Sequence, residues 1–179
     1  MVKITKVYAE RLPSIRLIGK KYANSDRNGY GSYGHKWGEW FANGWFEKLE
    51  QLPMPQNVEN GYIGLMGCSG TADDFEYWIG VFAEAGAPVP EGFQHVDIPE
   101  GIVGVCWIKG RDDNGEIYGE AAHNMCVNKL RDNGFVSIRE DFKGPDKVWT
   151  WFFERYNCPR FTEKDGEGEV ILDYGIYIL

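Results

Sequence analysis

The order of hydrophobic and polar residues along the chain predicts strands first and then a helix. Two stretches rich in β-forming residues, 2–9 and 15–19, come first, and a loop rich in glycine and asparagine follows at residues 23–32. From residue 33 to residue 49, aromatic residues recur at steps of three and four with charged residues between them. This spacing predicts an amphipathic helix, which ends before the prolines that follow it.

The rest of the chain predicts two more strands, which complete a β-α-β-β unit, and then a second unit with the same order of elements. Strands are predicted at 62–68, 75–82, 93–98, 102–108, 148–156 and 170–179, with a second helix at 116–130. We therefore predict one α+β domain over residues 1–179, built from two β-α-β-β units at about 1–87 and 93–179. Antiparallel sheets related by a pseudo-two-fold axis leave a central cleft between the units, and such clefts are common ligand sites.

One predicted strand, residues 148–156, is apolar on both faces except at a single Glu–Arg step. The two-residue alternation of a strand places Glu154 and Tyr156 on one face and Arg155 on the other. A buried carboxylate without a partner costs several kcal/mol of folding free energy or takes up a proton. Glu154 therefore indicates a salt bridge to a basic side chain, a strand end where the carboxylate reaches water, or a ligand site, and the residues alone leave these interpretations open.

Other aromatic residues are candidates for the same site, although each also suits a hydrophobic core. Tyr77 lies in an alternating, strand-like stretch, and Trp37 and Trp40 lie on the first predicted helix. The three histidines are isolated in sequence and lack a metal-ligand spacing, and no nucleophile elbow or phosphate-binding glycine loop occurs. We therefore predict neither a metal site nor a cofactor.

The composition narrows the set of partners. Nineteen Lys and Arg residues against 27 Asp and Glu residues give a net charge of −8, which argues against DNA or an anionic membrane as the main partner. The longest apolar run, residues 101–108, is far shorter than the roughly 20 residues of a membrane span. The four cysteines are scattered and no secretory signal is present, so we predict a cytoplasmic protein with reduced thiols. Seven Trp, ten Tyr and ten Phe are enough for a core, with some left to line a site.

Four segments of the chain, in order, resemble sequence blocks of the GyrI-like family, also called AraC-type effector-binding domains. They are LPSIRLIGKKY at 12–22, IGLMGCSGTADDFEYWIGV at 63–81, VPEGFQHVDIPEGIVGVCWIKG at 89–110, and FERYNCPRF at 153–161 with IYIL at 176–179. Each block alone is weakly specific, but the four together extend over essentially the whole chain. The resemblance also extends to the drug-binding module of multidrug-sensing transcription activators.

The resemblance implies a doubled β-α-β-β fold whose cleft binds organic molecules that are often cationic and aromatic. The family's pocket glutamate falls on Glu154, and a family tyrosine falls on Tyr77. No helix-turn-helix precedes the domain, which favours a stand-alone binding protein over a regulator. The chain departs from the family at Val103, where members often have an aromatic residue, and at Leu179, where they have proline; the nearest aromatic residue on the strand face of Val103 is Trp107.

These observations predict a binding protein for lipophilic, aromatic or cationic small molecules, with Glu154 as the countercharge. The resemblance also implies an alternative, a cofactor-independent hydrolase of electrophilic, cyclopropane-type compounds, in which Glu154 acts as general base and Tyr77 orients the water or donates a proton. A second alternative is a module that binds a protein such as DNA gyrase. The predicted ligand-binding residues are Glu154, Tyr77, Tyr156, Trp107, Trp37 and Trp40. We expect Glu154 at the floor, Tyr77 as one wall with Tyr156 or Trp107 as the other, and Trp37 or Trp40 as the lid.

Overall fold

The described residues of the computed structural model, 1–68, 75–135, 150–156 and 158–178, form an α+β fold, as the sequence predicted. The strands are β1 (Lys3–Leu12), β2 (Ile15–Tyr22), β3 (Tyr62–Cys68), β4 (Glu76–Glu84), β5 (Gln94–Ile98), β6 (Gly101–Gly110), β7 (Thr150–Tyr156) and β8 (Val170–Ile178). The α-helices are α1 (Gly34–Ala42), α2 (Trp45–Leu49), α3 (Gly119–Asp132) and α4 (Pro159–Thr162), and a 3₁₀ turn covers Asn24–Asp26. Residues 148, 149 and 179 of the predicted strands lie outside the described ranges.

The strands form one antiparallel sheet in the order β1-β6-β8-β7-β3-β4-β2-β5. The first half of the chain contributes β3-β4-β2 to one side and the second half contributes β7-β8-β6 to the other, while β1 and β5 lie at the edges. The two halves meet at β3 and β7, which pair along their whole length from Tyr62↔Tyr156 to Cys68↔Thr150. The sequence predicted separate sheets, but this edge-to-edge pairing joins them. Pseudo-two-fold duplication of the halves stays a prediction.

The first predicted helix is divided into α1 and α2. Gly44 adopts a left-handed conformation, with φ of 59°, immediately before α2 begins. Only glycine adopts such a backbone without steric cost, so the chain turns there. The second helix begins later than predicted, after Tyr118, and ends at Asn133 and Gly134, where φ is 79°. No helix in the described ranges is long and apolar enough to span a membrane.

The helices α1, α2 and α3 pack on the same face of the sheet but on different halves. The first cluster joins α1 and α2 to β2 and β4 through Trp40, Phe46, Leu49, Ile18, Ile79 and Val81. The second joins α3 to β6 and β8 through Ala122, Cys126, Leu130, Cys106, Leu172 and Ile176. The central strands β3 and β7 lie between these two clusters, so the helix-facing side chains at the centre of the sheet have a neighbouring helix on either side.

The opposite face of the sheet joins both halves in one core. Phe82 of β4 packs edge-on against Phe153 of β7, with ring centroids 5.5 Å apart. Arg155 is fully buried on this face and forms ion pairs with Glu10, Glu59 and Asp173. Strand β7 is therefore covered on both faces, as its apolar sequence predicted, and its arginine is neutralised on the face away from Glu154.

Candidate functional site

Glu154 lies on the central strand β7 and faces the side of the sheet that carries the helices. Its register partners are Gly64 on β3 and Tyr174 on β8. The residue is 7% exposed, and no Lys or Arg within the described ranges forms an ion pair with it. Its Oε2 accepts a 2.5 Å hydrogen bond from the hydroxyl of Tyr156, two residues along the same face. Burial raises the pKa of Glu154 to about 7, and the Tyr156 hydrogen bond opposes that rise.

Helix α1 and strand β4 place two more of the predicted residues beside Glu154. The Nε1–H of Trp37 donates a 2.9 Å hydrogen bond to the hydroxyl oxygen of Tyr77. The Trp37 ring also lies 4.6 Å from the Tyr156 ring, so it contacts both tyrosines. On its other side, Tyr77 stacks on Tyr33 with centroids 4.0 Å apart. Trp37 is thus held by a hydrogen bond and by ring contacts over the centre of the sheet.

Gly64 shows that these side chains converge on one point. A Cβ atom placed on Gly64 lies 3.0 Å from Tyr77 Oη, 3.4 Å from Trp37 Cζ2 and 3.6 Å from Glu154 Oε2. The three groups come from β4, α1 and β7, yet they surround the same backbone position on β3. We call this group, Glu154, Tyr156, Tyr77 and Trp37 around Gly64, the Glu154 site.

The charge of Glu154 acts on the tyrosines around it. Burial raises the pKa of Tyr77, Tyr156 and Tyr174 above the ordinary value, and the Glu154 carboxylate raises each further. Tyr118, which precedes α3, is affected in the same direction by burial, Asp112 and Glu154. All four hydroxyls are therefore protonated at neutral pH, whereas the Glu154 carboxyl titrates near neutrality.

The α3 side of the centre contains residues that sequence reasoning missed. His123 of α3 places Nδ1 2.8 Å from the hydroxyl of Tyr174, and its ring lies 4.9 Å from the ring of Phe152 on β7. Burial lowers the pKa of His123. His123 is isolated in the sequence because its partner, Tyr174, is 51 residues away, and no local sequence pattern indicates that the two side chains meet.

The structure brings together Glu154, Tyr77, Tyr156 and Trp37, but it places the other two predicted residues elsewhere. Trp40 is fully buried in the α1–β2 core, where its Nε1–H donates a 3.0 Å hydrogen bond to Tyr22 Oη. It faces the sheet under the helix and cannot also form a lid over Glu154.

Trp107 lies on the opposite face of the sheet, which corrects its prediction as a wall of the site. Cross-strand partners share a face of the sheet, so Glu154, its partner Tyr174 and the next partner Cys106 lie on the helix-bearing face. Trp107 pairs with Asp173, the neighbour of Tyr174 along β8, and therefore lies on the other face. The Trp107 ring is flanked instead by cations, with Lys6 Nζ 4.4 Å and the Arg160 guanidinium 4.8 Å from its centroid.

Comparisons with known proteins identify similar structures. No protein-family profile and no curated protein sequence matches the chain. The structure of SAV2435 bound to tetraphenylphosphonium matches with a TM-score of 0.61 and 14% identity, over 98% of this chain and 94% of that one. The EcmrR C-terminal domain matches with a TM-score of 0.56 and 12% identity, over 97% of both chains. A protein from Staphylococcus aureus MU50, described as a putative bacterial transcription regulation protein, matches with a TM-score of 0.53 and 16% identity, over 97% of both chains.

Proposed function

We propose that this chain, which has the GyrI-like effector-binding fold, binds small lipophilic cations with aromatic substituents at the Glu154 site. The observation that carries the proposal is the Glu154 carboxylate, buried at the centre of the sheet with a tyrosine hydroxyl as its partner and no cationic side chain paired with it in the described ranges. A buried carboxylate in such surroundings is stabilised when a cation binds beside it.

The residues around Glu154 favour an organic cation over a hydrated metal ion. The aromatic rings of Trp37, Tyr77 and Tyr156 attract cations through their π faces, each contact contributing about 0.5–2 kcal/mol once water is excluded. The same rings bury apolar substituents of a ligand. Because the pKa of Glu154 is about 7, a bound cation also favours release of its proton, so ligand and proton compete at neutral pH. The net charge of −8 supports a function that does not involve contact with DNA.

A titration with tetraphenylphosphonium tests the proposal, since SAV2435 has been solved with this cation and the probe has no hydrogen-bonding groups. We expect Glu154→Gln to weaken its binding at least about tenfold relative to the wild type, because the substitution removes the charge and keeps the shape. The matched control is Glu91→Gln, which removes the same charge from an exposed loop position and should leave the affinity unchanged. Equal affinities for the wild type and the Glu154 variant would contradict the proposal.

A hydrolase that uses the same residues is the second candidate. A carboxylate with a pKa of about 7 suits a general base at neutral pH. Trp37 donates to the oxygen of Tyr77, and this contact leaves the hydroxyl proton of Tyr77 available for a substrate. Mass spectrometry of an electrophilic cyclopropane compound incubated with the protein distinguishes the two functions. Water added to the compound by the wild type but not by Glu154→Gln or Tyr77→Phe assigns the hydrolase. An unchanged mass, together with tetraphenylphosphonium binding that depends on Glu154, assigns the binding protein.

A further inference from the structure

Building on the binding function proposed above, we infer that His123 and Tyr174 form a second subsite for a hydroxyl group on the ligand. We call these two residues, with the Phe152 ring beneath them, the His123 subsite. The ligand class that fits both parts is a lipophilic cation that carries a hydroxyl group at a distance from its charge.

The His123 subsite adjoins the Glu154 site on the side away from Trp37. Glu154 and Tyr174 are direct partners across β7 and β8, which places their Cα atoms about 4.5–5.5 Å apart with both side chains on the helix-bearing face. Phe152 is two residues from Glu154 on that face, and its ring lies 4.9 Å from His123 and 6.0 Å from Tyr174. A ligand seated over Glu154 therefore has the His123 pair within reach.

The His123 pair is neutral and offers one donor and one acceptor. Burial lowers the pKa of His123, so its ring is uncharged at neutral pH. In one tautomer, Tyr174 donates to Nδ1 and the Nε2–H group is a free donor; in the other, Nδ1–H donates to Tyr174, whose own hydroxyl proton is then free. Nε2 has no hydrogen-bond partner in the part of the chain that the structure describes.

This arrangement favours a hydroxyl group over a charged group. A hydroxyl both donates and accepts, so it satisfies the pair in either tautomer. A second cationic group is disfavoured, because the pair adds no negative charge of its own. The tyrosine and the histidine come from β8 and α3, so the subsite depends on the seating of that helix over the second half of the sheet.

Two probes of equal charge and similar size test the inference: tetraphenylphosphonium and (4-hydroxymethylphenyl)triphenylphosphonium, whose alcohol stays protonated at neutral pH. The readout is the ratio of their dissociation constants. We expect the wild type to bind the hydroxylated probe about tenfold more tightly, the effect of one additional buried hydrogen bond. His123→Phe and Tyr174→Phe keep a ring at each position and should each bring the ratio close to one. The control His95→Phe, at an exposed position on β5, should keep the wild-type ratio.

The outcomes separate this inference from the function on which it rests. Equal affinities for the two probes in the wild type, or a preference that survives both ring substitutions, would overturn the His123 subsite and leave the Glu154 site in place. If neither probe binds the wild type, the proposed function fails, and the inference fails with it. Because the two variants lie on different elements, poor folding of one leaves the other to decide.

Discussion

The ionisation of Glu154 is set by two opposing contacts at the scale of single residues. Burial raises the pKa of this carboxyl, and the hydrogen bond from Tyr156 opposes the rise, leaving the value at about 7. A hydrogen bond to the charged form of an acid favours that form. Tyr156 is itself fixed by its neighbours: its ring lies 4.6 Å from Trp37 and 5.0 Å from Phe161. The aromatic contacts thus orient the donor that keeps part of the Glu154 population ionised.

Tyr156→Phe should raise the pKa of Glu154 further and weaken cation binding at neutral pH. The variant keeps the ring and removes the hydroxyl that stabilises the carboxylate. We expect the pH midpoint of tetraphenylphosphonium binding to move upward by about one pH unit, the size of one hydrogen bond to a charged group. Tyr177→Phe is the control, since its hydroxyl bonds to Pro99 O on the opposite face. An unchanged midpoint in Tyr156→Phe would show that this hydroxyl does not support the charge.

Individual residues were predictable where one strand decides their placement. The alternation along residues 150–156 was enough to place Glu154 and Tyr156 together and Arg155 on the other face. The face of Trp107 relative to Glu154 was not predictable, because it depends on the register through β8, which lies between the two strands. The pairing of His123 with Tyr174 depends on how α3 packs on the sheet, and no local sequence pattern predicts that packing.

At the scale of elements, a glycine on β3 opens the space in which the site is built. Gly64 is the cross-strand partner of Glu154 and presents no side chain to it. Tyr77 Oη is 3.0 Å from the position of a Cβ atom there, so any other residue would push the surrounding groups apart. The approach of α1 depends on the same opening, since Trp37 also lies over this position.

Gly64→Ala should therefore weaken the binding of tetraphenylphosphonium by about tenfold or more. The added methyl group displaces Tyr77 Oη and crowds Trp37 and Glu154, the groups that we expect the ligand to contact. The matched control is Gly38→Ala on α1, where a Cβ atom meets nothing within 4 Å and helix propensity improves. Calorimetric titration of both variants with tetraphenylphosphonium measures the two affinities. If Gly64→Ala binds as tightly as the wild type, the ligand does not lie over this part of β3.

The existence of most elements was readable from the sequence, but the division of the first helix was not. Aromatic residues continue at helical spacing on both sides of Gly44, so the periodicity gives no sign of the break. A glycine inside a helical pattern is tolerated often enough that it does not by itself end a helix. Here its left-handed conformation separates α1 from α2.

At the scale of the whole molecule, the candidate site lies where the two halves of the chain meet. Strands β3 and β7 form the centre of one sheet. Helices α1 and α3 lie on the same face of that sheet, α1 over the strands of the first half and α3 over the strands of the second half. The sequence predicted a cleft between two units; residues from both halves surround Gly64, and the cleft itself stays a prediction. It did not predict a continuous sheet, because strand order is set by pairing between distant segments rather than by local pattern.

The net charge of −8 acts over the same scale and attracts any cation to the surface. This long-range attraction is shared by all single variants and is screened by salt, so comparisons of affinity belong at one ionic strength. A specific role of Glu154 must appear as a difference beyond this common background. The contribution of Glu154 to the affinity is therefore best measured over a range of pH in which its carboxyl gains and loses its proton.

The most direct test is the affinity for tetraphenylphosphonium from about pH 5.5 to about 8.5, in the wild type and in Glu154→Gln. Below the Glu154 pKa of about 7 the folded protein holds a proton that a bound cation displaces. Wild-type affinity should therefore fall with decreasing pH, by at most about tenfold per pH unit, toward the affinity of Glu154→Gln, and it should level off above the pKa. His123 gains a proton only at lower pH, since burial lowers its pKa, and the Glu154 variant retains that contribution. The account predicts an affinity in Glu154→Gln that is nearly constant across the range and about tenfold or more below the wild-type plateau. A wild-type affinity that does not change with pH, or parallel curves for the two proteins, would contradict it.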